Sequence, residues 1–348
     1  MKGKDFLKDI WNMVEVNRPG FVLEEPAFRY QSLSVNKSIE QIYQNRYQKY
    51  EALNAGRTDN VGVMDCMFGT HILPCLFGGE ERVFADGHTY LEGPIIFSPE
   101  DVYKLKVNDI KTGVIGRQIE ILKYMADKTR GEIPIRVGDI QNPLGVLDMM
   151  WETEDFYCSL LEESDAVHKA LEIITEVEIE YIYEMYKISE NIVPLSWPFI
   201  WAPKEKGIYL ADDTMGMISP DIYEEFGVTY NNKISEEFGG IMLHSCTTKE
   251  EYFDKIMKNK NIRSINFASQ YSSDMNKIYE FFGGKVVIIP HYCHTDNPQI
   301  GTATEFLEKV ISCWKPEYPS IIYIMENPEQ LIQQDVYEVY CKYFNLGD

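Results

Sequence analysis

His244 and Cys246 close the segment GGIMLHSC, where a short apolar run (Ile241, Met242, Leu243) delivers an imidazole and a thiol at its tip. A second apolar run in KVVIIPHYCH ends in the same way, with His291, Cys293 and His294. Along an extended strand, residues i and i+2 point to the same side. Nε2 of His244 and Sγ of Cys246 could therefore share one ion at about 2.0–2.3 Å, as zinc prefers. Cys293 is a candidate to complete that set, because it shares a side with His291. The plainer alternative is a set of buried, hydrogen-bonded histidines and inert cysteines.

Other polar groups also follow apolar runs. Asp212 and Asp213 end IYLADD, and Asp139, Gln141 and Asn142 follow IPIRV. A carboxylate at such a point could accept a proton, orient a metal-bound histidine, or simply cap a loop. Asp212 and Asp139 are the expected catalytic carboxylates, and Asn142 is an expected substrate contact. The aromatic segment SWPFIWAPKEKGIYL carries Trp197, Phe199, Trp201 and Tyr209. Alternation would place Trp197, Phe199 and Trp201 on one side, walling an apolar or cationic-methyl pocket with Tyr209. Cys66 and His71 read as ordinary packing residues.

These groups need a scaffold that collects strand ends. From Ile133 onward, strand-like and helix-like segments alternate. Strands are expected at 133–137, 192–195, 207–210, 241–243, 264–267, 286–289 and 320–324. Helices are expected at 166–186, 220–238 (with Ser219 as N-cap), 249–257, 275–282, 303–313 and 328–343. Strand–helix alternation of this length implies parallel βαβ units. The expected fold class is α/β, a (β/α)8 TIM barrel with its site at the C-terminal strand ends. Residues 38–53 have helical spacing, so residues 1–55 are expected to form an N-terminal helical extension and 56–348 the barrel.

Composition narrows the function classes. The chain has 348 residues, 45% of them apolar, and a net charge of −22. Such a field repels nucleic acid and anionic membranes, so neither is an expected partner. No apolar run approaches the roughly 20 residues of a membrane span. MKGKDFLKDIW lacks the apolar segment of a signal peptide, so a cytoplasmic location is expected. Seven cysteines without a regular framework suggest reduced thiols or metal ligands rather than disulfides. Neither a G-x-G-x-x-G nor a GK[ST] loop is present, so no nucleotide is implied.

The order of IRVGDIQNPLGVLDMMW, YLADDTMGMISPDIYEEF, GGIMLHSC, IRSINFASQ and GTATEFLEKV resembles the uroporphyrinogen decarboxylase superfamily over about residues 60–345. That resemblance implies a (β/α)8 barrel. It also implies one of two activities: porphyrinogen decarboxylation, or zinc-dependent methyl transfer with a corrinoid protein. The decarboxylase binds a substrate of eight carboxylates through an arginine pair in an RQAGR-like segment. Here Arg18 in VNRPGF stands alone. The methyltransferase branch uses His-x-Cys and a later Cys, and His244 and Cys246 match the first two. The later position, in SIIYIMENPEQL, holds Met325 and Glu326, so Cys293 or Glu326 is left to complete a zinc site. The implied activity is methyl transfer between a small methylated or methoxylated compound, or a thiol, and a corrinoid (cobalamin) protein. The alternatives are a metal-free decarboxylase and a corrinoid- or small-molecule-binding barrel without catalysis. The resemblance also implies a monomer or homodimer.

Overall fold

The computed structural model describes residues 2–24, 38–54, 58–84, 89–293, 301–325 and 336–346. Among the described residues, ten strands run in chain order: β1 (Gly20–Glu24), β2 (Glu81–Val83), β3 (Thr89–Leu91), β4 (Ile135–Arg136), β5 (Ile192–Val193), β6 (Ile208–Ala211), β7 (Ile241–Ser245), β8 (Ile262–Ala268), β9 (Val287–Cys293) and β10 (Ile321–Met325). β2 and β3 form a small antiparallel hairpin. Six strands make one sheet in the order β1-β10-β9-β8-β7-β6, every pairing parallel. β4 and β5 form a second parallel pair.

Backbone hydrogen bonds join the two. Asp59 N donates to Phe21 O (2.9 Å), and Met64 N to Pro134 O (2.9 Å). On the other side Tyr209 N donates to Pro194 O (3.1 Å) and Ala211 N to Ile140 O (2.9 Å). Both edges of the six-stranded sheet thus connect to the β4–β5 pair, as the expected α/β barrel class requires. β6, β7 and β9 are buried at every position. That follows from parallel strands covered on both faces, and explains their near-continuous apolar runs.

The helices that separate these strands match the expected periodicity closely: Ser164–Tyr186, Met275–Phe282 and Ala303–Cys313. Ser219 Oγ accepts from Ile222 N at 3.3 Å, the expected N-cap. The helical stretch behind it changes character, with a π turn at Tyr223–Val228 between Pro220–Ile222 and Thr229–Phe238. Among the described residues of the first 55 are two helices, Lys2–Trp11 and Ile39–Asn54, and β1 of the main sheet. Among the described residues, no helix is long and apolar enough to cross a membrane.

The start of β6 and β7 depends on one close approach. Ile208 N donates to Gly240 O (3.1 Å). A Cβ on Gly207, whose φ is +100°, would sit 1.9 Å from that same oxygen. Only glycine permits the contact. It aligns Ala211 of β6 with His244 of β7.

Candidate metal centre at the strand ends

His244 is buried on β7, in register with Asn266 of β8. Asn266 Nδ2 donates to the Ile289 carbonyl at 2.7 Å, and Asn266 Oδ1 lies 2.6 Å from His244 Nδ1. A carbonyl only accepts, so this bond orients the amide. Oδ1 must then accept from His244, which carries its proton on Nδ1. The lone pair of His244 is left on Nε2, the arrangement that a second-shell partner gives a metal-binding histidine.

Nε2 faces two anionic donor types. Cys246 Sγ lies 3.6 Å away and Asp213 Oδ1 3.8 Å away. Two ligands at about 2.0–2.1 Å and about 2.3 Å from one tetrahedral ion lie about 3.6 Å apart, so the His–Cys pair fits zinc. Among the described residues, Asp213, His244 and Cys246 form a group whose donor atoms all lie within 4.8 Å of one another. Asp213 Oδ1 also accepts the Cys246 N–H at 2.7 Å.

The second imidazole lies alongside. His291 stacks on His244 with ring centroids 5.8 Å apart. Its Nδ1 lies 3.2 Å from Asn266 Nδ2 and accepts the amide's second hydrogen. Burial, reinforced by His244, holds the His291 imidazole well below its usual range, so it is neutral with a proton on Nε2. Asp139 is buried in the same interior. Burial pushes its carboxyl up to about 6, Asp213 adds to the rise, and His244 opposes it. Its Oδ1 has no hydrogen-bond partner among the described residues, and Gln141 Nε2 lies 3.4 Å from Oδ2.

An aromatic wall continues from His291. Trp197 meets His291 at 6.1 Å, Tyr323 at 5.6 Å and Phe199 at 5.2 Å, all edge-on. Tyr209 stacks on His244 at 6.2 Å. Beyond Phe199 lies a buried ionic cluster. Lys49 contacts Glu24 (3.3 Å) and Asp65 (3.4 Å), Arg46 contacts Asp65 (3.3 Å), and the Tyr323 hydroxyl bonds Glu24. Arg136 donates to the carbonyls of Leu195 and Ile200. These cations are held by groups of the protein itself.

Residues 29–194 match the family model for uroporphyrinogen decarboxylase (URO-D). Over that segment the chain is similar to uroporphyrinogen decarboxylase. The resemblance carried by the motifs is thereby borne out, although the His244–Cys246 segment lies outside the matched residues. No curated protein matches the sequence. A methyltransferase from Methanosarcina mazei shares the fold, with a TM-score of 0.69 and 14% identity over 92% of each chain. Human mitochondrial enolase superfamily member 1 gives a TM-score of 0.38 and 10% identity over 94% of this chain and 50% of its own. A likeness that weak carries no argument.

The URO-D-like barrel regroups several expected site residues. Asp213, just past the end of β6, faces His244, whereas Asp212 points away from the centre. Its Oδ2 accepts from Asn231 (3.1 Å), whose Oδ1 accepts from Asn142 (3.1 Å). Asn142 in turn caps the helix Pro143–Met150 by accepting from Gly145 N. Asp212 and Asn142 thus belong to a buried network behind the strands, where burial pushes the Asp212 carboxyl up to about 7. Trp201 also leaves the site. Ile200 N bonds Pro198 O (2.6 Å), so the segment turns rather than extends. The Trp201 ring sits under the Lys4 ammonium at 5.0 Å, in a hollow with Pro134 and Ile192 at the starts of β4 and β5. Cys293 is two strands from His244 and four residues beyond Ile289, the β9 residue level with it, and its Sγ contacts Met325 Sδ at 3.6 Å. Glu326 and His294 lie outside the described residues. Asp213 and Asn266, which were not among the expected site residues, lie beside His244. An asparagine inside the apolar run of SINFA was the sequence signal for the second.

Proposed function

We propose that this URO-D-like barrel is a metal-assisted methyltransferase, moving a methyl group between a small methylated compound or thiol and a corrinoid. The observation that carries this reading is the orientation of His244. Asn266 turns its Nε2 lone pair toward Cys246 at a separation that fits a shared zinc ion. His244 and Cys246 would hold the ion, with a third ligand from the same strand ends. When bound, zinc supplies Lewis acidity that stabilises a substrate thiolate as nucleophile or the charge on a departing oxygen.

The remaining work falls to the chain's own side chains. Asn266 fixes the two imidazoles. The His291 Nε2–H can donate to a bound oxygen or sulfur. Trp197, Phe199 and Tyr209 offer faces to an apolar or cationic methyl-bearing group and displace water from it. Asp139, carrying a carboxyl pushed up to about 6, sits beside this space and can take a proton from an incoming thiol.

The interior charges disfavour the decarboxylase alternative. Arg46 and Lys49 already contact Glu24 and Asp65, and Arg136 donates to backbone carbonyls. None of these cations is set out for a polycarboxylate. The test is turnover of free methylcobalamin with small thiols, and of cob(I)alamin with methylated donors, followed by the cobalt absorbance. Activity in zinc-loaded protein, abolished in Cys246→Ala, is expected. Activity that persists in that variant would sink the reading.

A further inference from the structure

We propose that Asp213 supplies the third protein ligand, so that the centre is built from one imidazole, one thiolate and one carboxylate. This rests on the metal-assisted reading above. The placement follows from sheet register. Ala211 of β6 lies beside His244 of β7. Two residues on from each, just past the ends of β6 and β7, come Asp213 and Cys246. Their pairing is tied by the Cys246 N–H, which donates to Asp213 Oδ1 at 2.7 Å. The carboxylate is therefore held beside the thiol and 3.8 Å from His244 Nε2. Cys293, the other thiol on this side of the barrel, is packed on Met325 at 3.6 Å with β8 between it and His244.

The chemistry of this set differs from that of a two-thiolate site. A neutral imidazole, a thiolate and a carboxylate carry two negative charges, which balance one divalent cation. The single soft ligand also widens the choice of metal toward cobalt(II) and iron(II) as well as zinc. Asp213 is half-exposed, with its side chain 48% accessible. It can therefore swing onto an ion without opening the core.

The experiment is a cobalt(II) titration of the chelator-stripped full-length protein, read by its absorption. Wild type is expected to bind one cobalt with the near-ultraviolet charge-transfer intensity of a single thiolate. Cys246→Ser should lose that band, and Cys293→Ser should keep it. Asp213→Asn keeps an oxygen to accept the Cys246 N–H but removes the anionic ligand. It should weaken cobalt binding at least ~10-fold and alter the visible ligand-field bands. Asp213→Cys should roughly double the charge-transfer intensity, which gives a positive signal independent of any loss of folding. Unchanged affinity in Asp213→Asn, or a charge-transfer band halved in Cys293→Ser, would overturn the assignment while leaving metal binding intact. Absence of cobalt binding in wild type would overturn the metal-assisted reading as well.

Discussion

Replacing Asn266 with alanine removes the side chain that orients both imidazoles. Three contacts vanish: His244 Nδ1 at 2.6 Å, the Ile289 carbonyl at 2.7 Å and His291 Nδ1 at 3.2 Å. Each is worth on the order of 1 kcal/mol net, and a buried group left unpaired costs about 1–3 kcal/mol. Loss of stability should therefore be about 3 kcal/mol, a sizeable share of the 5–15 kcal/mol typical of a folded protein. Metal affinity should fall separately, by about 10–100-fold, because His244 loses the partner that fixes its tautomer. Urea unfolding gives the first quantity, and zinc competition with a chromophoric chelator gives the second. A variant that loses stability but keeps its zinc affinity within about twofold would refute the orienting role. A variant unchanged in both would refute the hydrogen-bond network itself.

Three further outcomes are expected. The Asp139 carboxyl rises from an ordinary 3.8 to about 6, so the folded chain holds a proton that the unfolded chain releases. Its contribution is most favourable below pH ~4 and is lost as pH rises to ~6, a difference of about 3 kcal/mol; Asp139→Asn in metal-stripped protein should raise the melting temperature at pH 8 and change it little at pH 4. Gly207→Ala places a Cβ 1.9 Å from the Gly240 carbonyl at a φ of +100°; more than ~2 kcal/mol of stability should be lost in denaturant unfolding, and a neutral result would refute the close approach. Trp197→Ala should raise KM for the methyl-bearing substrate about tenfold, whereas Trp201→Phe should leave it within about twofold, since Trp201 lies under Lys4 at the opposite end of the strands; equal effects would refute the separation of the two rings.

The strands were legible because their apolar runs are long enough to be buried on both faces. The helices were legible because 3.6-residue spacing extends over many turns, and Ser219 marked one start correctly. The strand-end position of His244 and Cys246 was legible for the same reason, since a run of buried residues must end where polar groups begin. The errors cluster where side-chain direction depends on a turn. Nothing local in IYLADD says whether Asp212 or Asp213 faces inward. That is decided by Tyr209 stacking on His244 and by β6 lying beside β7. The segment from Trp197 to Trp201 read as extended, but the Ile200–Pro198 hydrogen bond turns it and sends Trp201 to the far end. Asn266 became a site residue only through register, because its partners are 22 and 25 positions away in the chain. Cys293 matched by residue type, yet strand order puts β8 between it and His244.

The central claim is a metal ion held by His244 and Cys246, and elemental analysis of purified wild type beside Cys246→Ala tests it most directly. The account predicts about one zinc per chain in wild type and its loss in the variant, with both proteins showing the same unfolding midpoint after chelation. Wild type that carries no metal even when purified with zinc, or a variant that retains it, would contradict the account and leave the strand-end cluster as a hydrogen-bonded pocket.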